Sequence, residues 1–286
     1  MHLVTGATGR TGGGAALELA KRGLPVRALV RNAAKATALQ AAGVELAPGD
    51  VADPAALAAA MKGVTKVLVC LPNGEKQLVL EKAITDAAVA AGVGHILKIS
   101  SMEAAADMYN PVHQTHWQSE EYIRRTGRAW TMIRPSFYMQ NFLLSAATIK
   151  SEGKFHFPFG EKGAAVLTDS RDAGYFAAHV MATPGHEGRS YDVTSPDKLS
   201  FHQIADVFTR VLGRRIEYVP QDPAAFKAFL SRFNPSKWHV DAVCDIFAEI
   251  AAGYVVDTTD TFRRVTGRNP VTLEQFIREH VAIFTA

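Results

Sequence analysis

The sequence predicts an α/β fold: a doubly wound parallel sheet with helices on both faces, together with a smaller, mostly helical C-terminal lobe. Short apolar strand patterns alternate with helical patterns through the first half of the chain, which is typical of parallel sheets. The first strand pattern ends in spaced glycines, and a helix pattern follows. With 286 residues, 48% of them hydrophobic, the chain is long enough to bury a large core.

The first element is a short apolar run that leads into a glycine-rich turn. Gly6, Gly9 and Gly12 follow it at three-residue spacing, ahead of an amphipathic helix pattern. Glycines let the backbone turn tightly and approach a ligand, and the free N–H groups of a helix N-terminus attract phosphate. The spacing differs from the Gly-x-Gly-x-x-Gly of the commonest dinucleotide fingerprint. We interpret the turn as the phosphate loop of a Rossmann-type domain, with a merely flexible turn as the alternative.

The second strand, residues 25–30, ends in Arg31 and Asn32. This position lies about twenty residues past the glycines, where an acidic side chain would bind the ribose hydroxyls of NAD. An arginine instead offers a guanidinium fork that suits the 2′-phosphate of NADP and finds no partner on a free hydroxyl. The sequence therefore favours NADP(H) as the cofactor, against the alternative of an ordinary solvated arginine.

Four further strand patterns complete the predicted sheet. The third strand is followed by Asp53 and Pro54, which suit a helix cap and the first helical position. Gly92 marks the end of a long alanine-rich helix. The predicted strands are residues 44–47, 66–71, 95–99 and 130–133, and the helices after the second and third of these are residues 77–91 and 111–126.

Beyond the sixth strand the regular alternation fades. We predict a helix at 137–149, a glycine- and aromatic-rich loop at 153–163, a helix at 172–181 and a strand at 191–193. Capping-box patterns at Ser200 and Thr272 open a helix to residue 212 and the last helix of the chain. These patterns predict a dinucleotide-binding domain at residues 1–152 and a smaller substrate-binding lobe at 153–286, with about 164–183 returning to the first domain's sheet.

Composition excludes several classes of function. The net charge of +3 is too small, and Lys and Arg are too dispersed, to predict nucleic-acid binding. No apolar stretch reaches membrane-spanning length, and the first apolar run is too short for a signal peptide. Cys70 and Cys244 form no disulfide framework, and His113 and His116 lack further ligands for a metal. We expect a cytoplasmic protein that acts on a small molecule, with no nucleic-acid or membrane partner; a homodimer is left open.

Four motifs together resemble the NmrA-like group of atypical short-chain dehydrogenases/reductases. They are residues 5–12, 30–32, 49–50 and 133–138. Within that group the chain is most similar to the branch of NADPH:quinone oxidoreductase 2 and triphenylmethane reductase, because residues 185–191 and 222–226 also resemble it. The resemblance covers nearly the whole chain, and it implies a Rossmann-type fold and an NAD(P)H-dependent oxidoreductase.

The resemblance also implies which residues contact the cofactor. Arg31 would hold the 2′-phosphate, and Asp50 and Val51 would lie near the adenine; a turn that only caps the third strand is the alternative for this pair. The pyrophosphate would be held by Gly6, Thr8, Gly9, Arg10 and Thr11. The nicotinamide side would lie along Leu71, Pro72 and Asn73, with Ser100 and Pro135 as further contacts at the ends of the fifth and sixth strands.

The catalytic pair of ordinary short-chain dehydrogenases is missing from this sequence. Those enzymes use Tyr-x-x-x-Lys on one helix face, where the lysine helps the tyrosine pass a proton to a carbonyl. None of the seven tyrosines here has a lysine four residues on, and the helix carries His116 and Glu120 instead. These two side chains share a helix face and can pair. His116 is the candidate catalytic residue, as a proton donor or substrate anchor; a polar pair that satisfies itself is the alternative.

The missing pair disfavours carbonyl–alcohol interconversion and favours hydride transfer to an acceptor that tolerates delayed protonation. We expect a flat conjugated or cationic molecule: a quinone, a triarylmethane or azo dye, or an iminium. The alternative is a non-catalytic NADP(H)-binding redox sensor that regulates a protein partner.

Aromatic residues after the sixth strand are candidates for the substrate side. The predicted pocket residues are Tyr138, Asn141 and Phe142, whose spacing also suits the start of a core-facing helix. Three alternating residues fit a half-buried strand and are assigned to the core rather than to a substrate: Phe155, Phe157 and Phe159.

Overall fold

The computed structural model describes residues 1–285, and the chain divides into two compact units. The first unit comprises residues 1–135 and 170–192, and the second comprises 136–169 and 193–286, of which the structure describes all but the last residue. The predicted boundary at residue 152 differs from the observed one, since the first segment of the first unit ends at Pro135. The returning segment is 170–192 rather than 164–183, because residues 164–168 form a strand inside the second unit.

A seven-stranded sheet forms the centre of the first unit. Its order is β10-β6-β5-β4-β1-β2-β3, and strands β1 to β6 pair in parallel. These strands are β1 His2–Val4, β2 Val26–Val30, β3 Glu45–Pro48, β4 Lys66–Val69, β5 His95–Ile99, β6 Ala129–Pro135 and β10 Arg189–Val193. The predicted α/β fold class with a doubly wound parallel sheet is confirmed.

The strand order reverses between β1 and β4, so the crevice at their carboxyl ends is the expected ligand site of such a sheet. The helices of this unit are α1 Arg10–Lys21, α2 Thr37–Ala41, α3 Pro54–Ala60, α4 Gln77–Ala90, α5 Pro111–Arg125 and α7 Ser170–Ala182, with a 3₁₀ turn at Ala33–Lys35. Asp53 caps α3 by accepting the Ala55 N–H, and Pro54 is its first residue, as predicted.

Helices α1 and α7 pack closely because glycines face each other at their contact. A Cβ on Gly174 would lie 2.7 Å from the Thr11 carbonyl oxygen, and one on Gly14 would lie 3.9 Å from the Gly174 Cα. A side chain at Gly174 would force the helices apart, whereas the Gly14 position is in ordinary van der Waals contact. Helix α7 belongs to the first unit although it follows strands of the second unit in sequence.

The second unit is built around an aromatic core. Its strands are β7 Phe137–Tyr138, β8 Lys154–Phe157, β9 Ala164–Thr168, β11 Lys198–Ser200 and β12 Glu217–Pro220. Its helices are α6 Ala146–Glu152, α8 Phe201–Leu212, α9 Pro223–Phe233, α10 Lys237–Ala251, α11 Thr261–Thr266, α12 Leu273–Glu279 and α13 Val281–Thr285, with a 3₁₀ segment at Met139–Ser145. The rings of Phe159 and Phe201 stack with centroids 4.1 Å apart.

Three local predictions in this unit are wrong. Residues 137–149 are not one helix: a short strand leads into a 3₁₀ segment, whose three-residue repeat turns both Met139 and Phe142 into the core. The predicted loop at 153–163 contains β8, because Phe155 and Phe157 alternate into the same core. The Thr272 box is half formed and does not open the last helix, since α13 follows α12.

The capping box at Ser200 is complete, with both side chain–backbone bonds present. The assignment of Phe155, Phe157 and Phe159 to the core is confirmed, because all three are fully or almost fully buried. Within residues 1–285, no helix is long and apolar enough to cross a membrane.

Candidate functional site

The glycine turn after β1 has two positions that no side chain could occupy. Gly6 has a φ of +62°, and a Cβ there would lie 2.0 Å from the Cys70 carbonyl oxygen. A Cβ on Gly12 would lie 2.6 Å from the Gly6 carbonyl oxygen. These two glycines are therefore required by the turn and by its packing against β4, whatever the turn binds.

Gly9 differs from Gly6 and Gly12, because few protein atoms surround the place where its Cβ would lie. Its backbone is extended, it is exposed, and a Cβ there would meet only the Gly6 carbonyl oxygen within 4 Å, at 3.2 Å. Gly9 is the N-cap of α1, makes no side-chain cap bond, and no acidic residue follows in the first turn. An open helix N-terminus without a competing carboxylate fits a pyrophosphate. Thr8 and Arg10 are exposed on either side, whereas Thr11 is buried.

The hydroxyl of Thr5 stabilises the start of the turn by two hydrogen bonds. The Thr5 hydroxyl donates to the Leu68 carbonyl and accepts from the Cys70 N–H, which links β1 to β4. Burial raises the pKa of the Cys70 thiol to about 11, although a backbone hydrogen bond from Gly12 opposes the shift. Cys70 is therefore a neutral packing residue under the turn.

The region expected to bind the 2′-phosphate lies at the ends of β2 and β3. Arg31 follows β2 and its side chain is 81% exposed. Its Nε lies 4.0 Å from Oδ2 of Asp50, which follows β3. The other oxygen of Asp50 accepts the Ala52 N–H at 2.9 Å, so Asp50 caps the turn after β3. Its expected contact with the adenine stays a prediction. Val51 packs against the apolar core of the first unit.

After β4, the predicted nicotinamide-side segment meets helix α5. Leu71 is half-buried, whereas Pro72 and Asn73 are exposed. Oδ1 of Asn73 lies 3.1 Å from Nε2 of His116, which is only 5% exposed. The other ring nitrogen, Nδ1, is buried and has no hydrogen-bond partner in the described residues. An unmet hydrogen-bonding atom at this place is an observation that fits a bound ligand.

His116 is held in its neutral form. Burial lowers its pKa well below the usual 6.5, and the nearby positive charges of Lys98 and His113 act in the same direction. A neutral imidazole at physiological pH has no surplus proton to give, so its chemistry here is hydrogen bonding.

The predicted His116–Glu120 pair is wrong. Glu120 is fully buried and accepts hydrogen bonds from other groups: the Arg134 Nε at 2.8 Å and Nη2 at 2.5 Å, the Arg124 Nη2 at 2.8 Å, and the Ser100 Oγ at 2.6 Å. A bidentate guanidinium from β6 satisfies the carboxylate better than one imidazole nitrogen could. The Ser100 hydroxyl proton is therefore engaged in a hydrogen bond to Glu120.

A second buried ion pair lies beside this network and was missed by the sequence reasoning. Lys98, on the interior strand β5, and Glu81, on α4, are both fully buried, and Nζ and Oε2 are 2.6 Å apart. Gln77 donates to the other oxygen of Glu81. A lysine inside the apolar strand at 95–99 was the available signal, since a buried lysine needs a carboxylate partner.

Pro135 closes β6 in a buried position, and its carbonyl accepts the Met102 N–H at 3.2 Å. This hydrogen bond joins the loop after β5 to the end of β6. The cofactor contacts expected of Pro135 and of Ser100 stay predictions.

The predicted pocket residues belong to the second unit. Tyr138 pairs with Thr168 across β7 and β9, and Asn141 is half-buried in the 3₁₀ segment. Phe142 is fully buried, with the rings of Phe155 and Phe157 each 5.9 Å away. Its assignment to the pocket is therefore wrong, and the core-facing alternative holds for this residue.

A cavity of about 630 Å³ lies elsewhere in this unit, between β11, α8 and α12, and includes Leu199, Arg210 and Glu274 in its lining. Among residues 1–285, no group of three or more His, Cys, Asp or Glu side chains is arranged to hold a metal ion.

The model of the NmrA-like family matches residues 2–277. The NAD(P)H azoreductase of Xenophilus azovorans is 36% identical over 288 residues, covering 100% of both chains. The crystal structure of NADPH-dependent quinone oxidoreductase 2 from Escherichia coli, complexed with NADPH, is 28% identical with a TM-score of 0.87, covering 99% of this chain and 100% of that chain. The triphenylmethane reductase of Citrobacter sp. is 26% identical with a TM-score of 0.86, covering 98% and 99%.

Proposed function

The chain belongs to the NmrA-like family, and from this premise we propose that it is an NADPH-dependent reductase that passes hydride to a flat conjugated or cationic small molecule. The relatives described above are named as reductases of an azo compound, a quinone and triphenylmethane dyes. These acceptors share a delocalised π-system that can take up an electron pair. Quinones, triarylmethane and azo dyes, and iminium compounds are the proposed substrate class.

The residues proposed to contact NADPH all lie in the first unit. We propose that the open turn at Gly9 takes the pyrophosphate, together with Gly6, Thr8, Arg10 and Thr11, and that Arg31 takes the 2′-phosphate. Asp50 and Val51 would flank the adenine, and the nicotinamide side would meet Leu71, Pro72, Asn73, Ser100 and Pro135. When bound, the cofactor supplies the hydride.

The observation that carries the proposal is the state of helix α5, where a short-chain dehydrogenase would hold its acid. His116 is neutral, Glu120 is committed to Arg134 and Arg124, and the Ser100 proton is directed at Glu120. No group of this network is free to protonate a developing alkoxide. An acceptor that delocalises the incoming electrons, or that begins as a cation, needs no such proton and can take one from solvent afterwards.

His116 remains the proposed catalytic residue, with a role narrower than acid catalysis. Its buried Nδ1 has an unmet hydrogen-bonding capacity, and Asn73 fixes the ring through Nε2. We propose that Nδ1 contacts the nicotinamide end of the cofactor or the acceptor.

Tyr138 and Asn141 remain the proposed substrate contacts. A bulky Asn141→Trp variant is expected to lose most activity and a Tyr138→Phe variant to keep most of it.

The experiment that tests this function follows NADPH oxidation with a panel of benzoquinones, azo dyes, triarylmethane dyes and cyclic iminium compounds, with simple ketones and aldehydes as the control. We expect turnover with at least one conjugated acceptor class and little with the carbonyl controls. Tight NADPH binding without turnover of any acceptor would contradict the proposal and favour a redox sensor.

We further propose a cytoplasmic location, consistent with two free cysteines, and a small molecule rather than a nucleic acid or a membrane as the partner. A homodimer is tested by the mass of the protein in solution.

A further inference from the structure

We infer that Asp50 sets the cofactor selectivity: its carboxylate stands beside the guanidinium that reads the 2′-phosphate, so that the protein accepts NADH as well as NADPH. This inference rests on the proposed function, because it concerns how that cofactor site distinguishes two forms of the same ligand. A lone arginine at the end of the second strand would select strongly for the phosphorylated form. An arginine that already has a neighbouring anion should prefer NADPH over NADH less strongly.

The guanidinium of Arg31 is free to bind an incoming anion, because no group of the described residues holds it tightly. Its side chain is 81% exposed, and its Nε lies 4.0 Å from the Asp50 oxygen, beyond hydrogen-bonding distance. An ion pair of this kind between exposed groups contributes little to stability. The guanidinium can therefore turn to an incoming anion without breaking a strong contact.

The carboxylate of Asp50 cannot easily move away from Arg31. Its Oδ1 accepts the Ala52 N–H at 2.9 Å, which leaves Oδ2 as the oxygen beside Arg31. An aspartate that bonds a backbone N–H two residues on is held in its rotamer by the turn itself. The negative charge thus stays near Arg31 when the cofactor binds.

The two forms of the cofactor then meet different electrostatics. With NADH, Arg31 keeps Asp50 as its counter-ion and loses nothing. With NADPH, a phosphate that carries roughly −1.5 to −2 charges shares the same guanidinium with a fixed carboxylate, and the two anions repel. Because both protein groups are exposed to water and salt, the repulsion is modest. Asp50 should lower the preference for NADPH by several-fold without abolishing it.

The test replaces the charge and keeps the turn. In Asp50→Asn the amide oxygen can still accept the Ala52 N–H, so the turn is kept while the charge is removed. Asp53→Asn is the matched control, because Asp53 makes the same kind of bond to the Ala55 N–H at the start of α3 and its loss changes net charge equally. Dissociation constants of NADPH and NADH are measured by titration calorimetry at low and high salt for the wild type and both variants.

We expect Asp50→Asn to tighten NADPH binding about 3- to 10-fold, to leave NADH within about twofold, and to lose most of this gain at high salt. Asp53→Asn should leave the ratio of the two constants at the wild-type value. An unchanged ratio in Asp50→Asn, or an equal change in Asp53→Asn, would overturn the role of Asp50 and leave the reductase proposal standing. A wild-type protein that bound neither cofactor would overturn both.

Discussion

The two ends of the candidate cofactor site are built in opposite ways. At the phosphate end, Gly9, Arg31 and Asp50 are exposed or half-buried, and Arg31 and Asp50 form only a weak ion pair at 4.0 Å. At the α5 end, His116 and Glu120 are buried, and Glu120 is saturated with hydrogen-bond donors. The first end is open and ready for a charged ligand, whereas the second is pre-organised, which suits an environment for hydride transfer rather than for proton transfer.

The difference predicts that substitutions at the two ends fail in different ways. Removing the buried carboxylate at the α5 end should lower the stability of the fold, because it leaves a buried guanidinium without its partner. Changes at the phosphate end should affect cofactor affinity and leave the fold intact, because solvent surrounds the groups that are altered.

Glu120→Gln tests the buried end and should have the largest effect. Removing this carboxylate leaves the Arg134 guanidinium without its buried counter-charge and leaves Arg124 with only Glu121 as a carboxylate partner, so we expect a loss of about 3–5 kcal/mol in the free energy of unfolding. Urea denaturation measures it. Glu121→Gln is the control, since Glu121 is 31% exposed and pairs only at the surface with Arg124, and should cost no more than about 1 kcal/mol. Equal losses for the two variants would contradict the comparison.

Gly9→Val tests the open end. The Cβ meets one backbone oxygen at 3.2 Å, so the variant should fold with little loss of stability. It should nevertheless bind both NADPH and NADH at least about tenfold more weakly, since each lost charge-assisted bond to phosphate is worth about 1.5–3 kcal/mol. Calorimetric titration together with thermal unfolding checks both expectations.

Gly12→Val is the contrasting variant, because its Cβ would stand 2.6 Å from the Gly6 carbonyl oxygen. We expect Gly12→Val to lower the free energy of unfolding, whereas Gly9→Val should lower mainly the cofactor affinity. Unchanged cofactor binding in Gly9→Val would mean that the glycines serve only the turn.

Arg31→Ala should act on one cofactor only. The loss of the guanidinium should weaken NADPH binding by about 1.5–3 kcal/mol and leave NADH binding almost unchanged, because only NADPH carries the 2′-phosphate. Lys35→Ala removes a nearby exposed charge from the 3₁₀ turn after β2 and should change neither. Equal losses of NADPH and NADH affinity in Arg31→Ala would contradict the assignment.

Sequence reasoning succeeded where a feature is local. The glycine spacing, the Asp53 cap and the complete Ser200 box each depend on residues a few positions apart, and the structure shows all of them. The parallel pairing of β1 to β6 follows from the alternation of strands and helices, because parallel strands need crossover connections.

It failed where the outcome depends on distant partners. The i,i+4 spacing of His116 and Glu120 predicts a pair, but Arg134, which lies on β6, outcompetes the imidazole for the carboxylate. Phe142 was placed in a pocket because the sequence does not show that an aromatic core surrounds it. Its orientation follows from the 3₁₀ geometry, which no local pattern predicted.

Buried histidines of the first unit should make its stability sensitive to acid. Burial lowers the pKa of His95 to about 4, with the positive charge of Lys66 as the next cause, against 6.5 in the unfolded chain. Above pH 6.5 both states are neutral and the group has no effect. Between pH 6.5 and 4 only the unfolded chain gains the proton, so stability falls by up to about 1.4 kcal/mol per pH unit for this group.

His95→Asn should flatten that dependence, while the exposed His202→Asn should not. Urea unfolding at pH 7.5 and 5 measures the difference. A pH dependence identical to that of the wild type in His95→Asn would remove this group as a cause.

The turnover number of His116→Ala with a quinone or dye acceptor tests the central claim most directly, namely that hydride transfer here needs no side-chain acid. Losing one neutral hydrogen bond should lower kcat by about tenfold or less, and the fall should be independent of pH. A loss of 10²–10⁴-fold, the range typical of a removed general acid, with NADPH affinity intact, would contradict the claim and return carbonyl compounds to the substrate class.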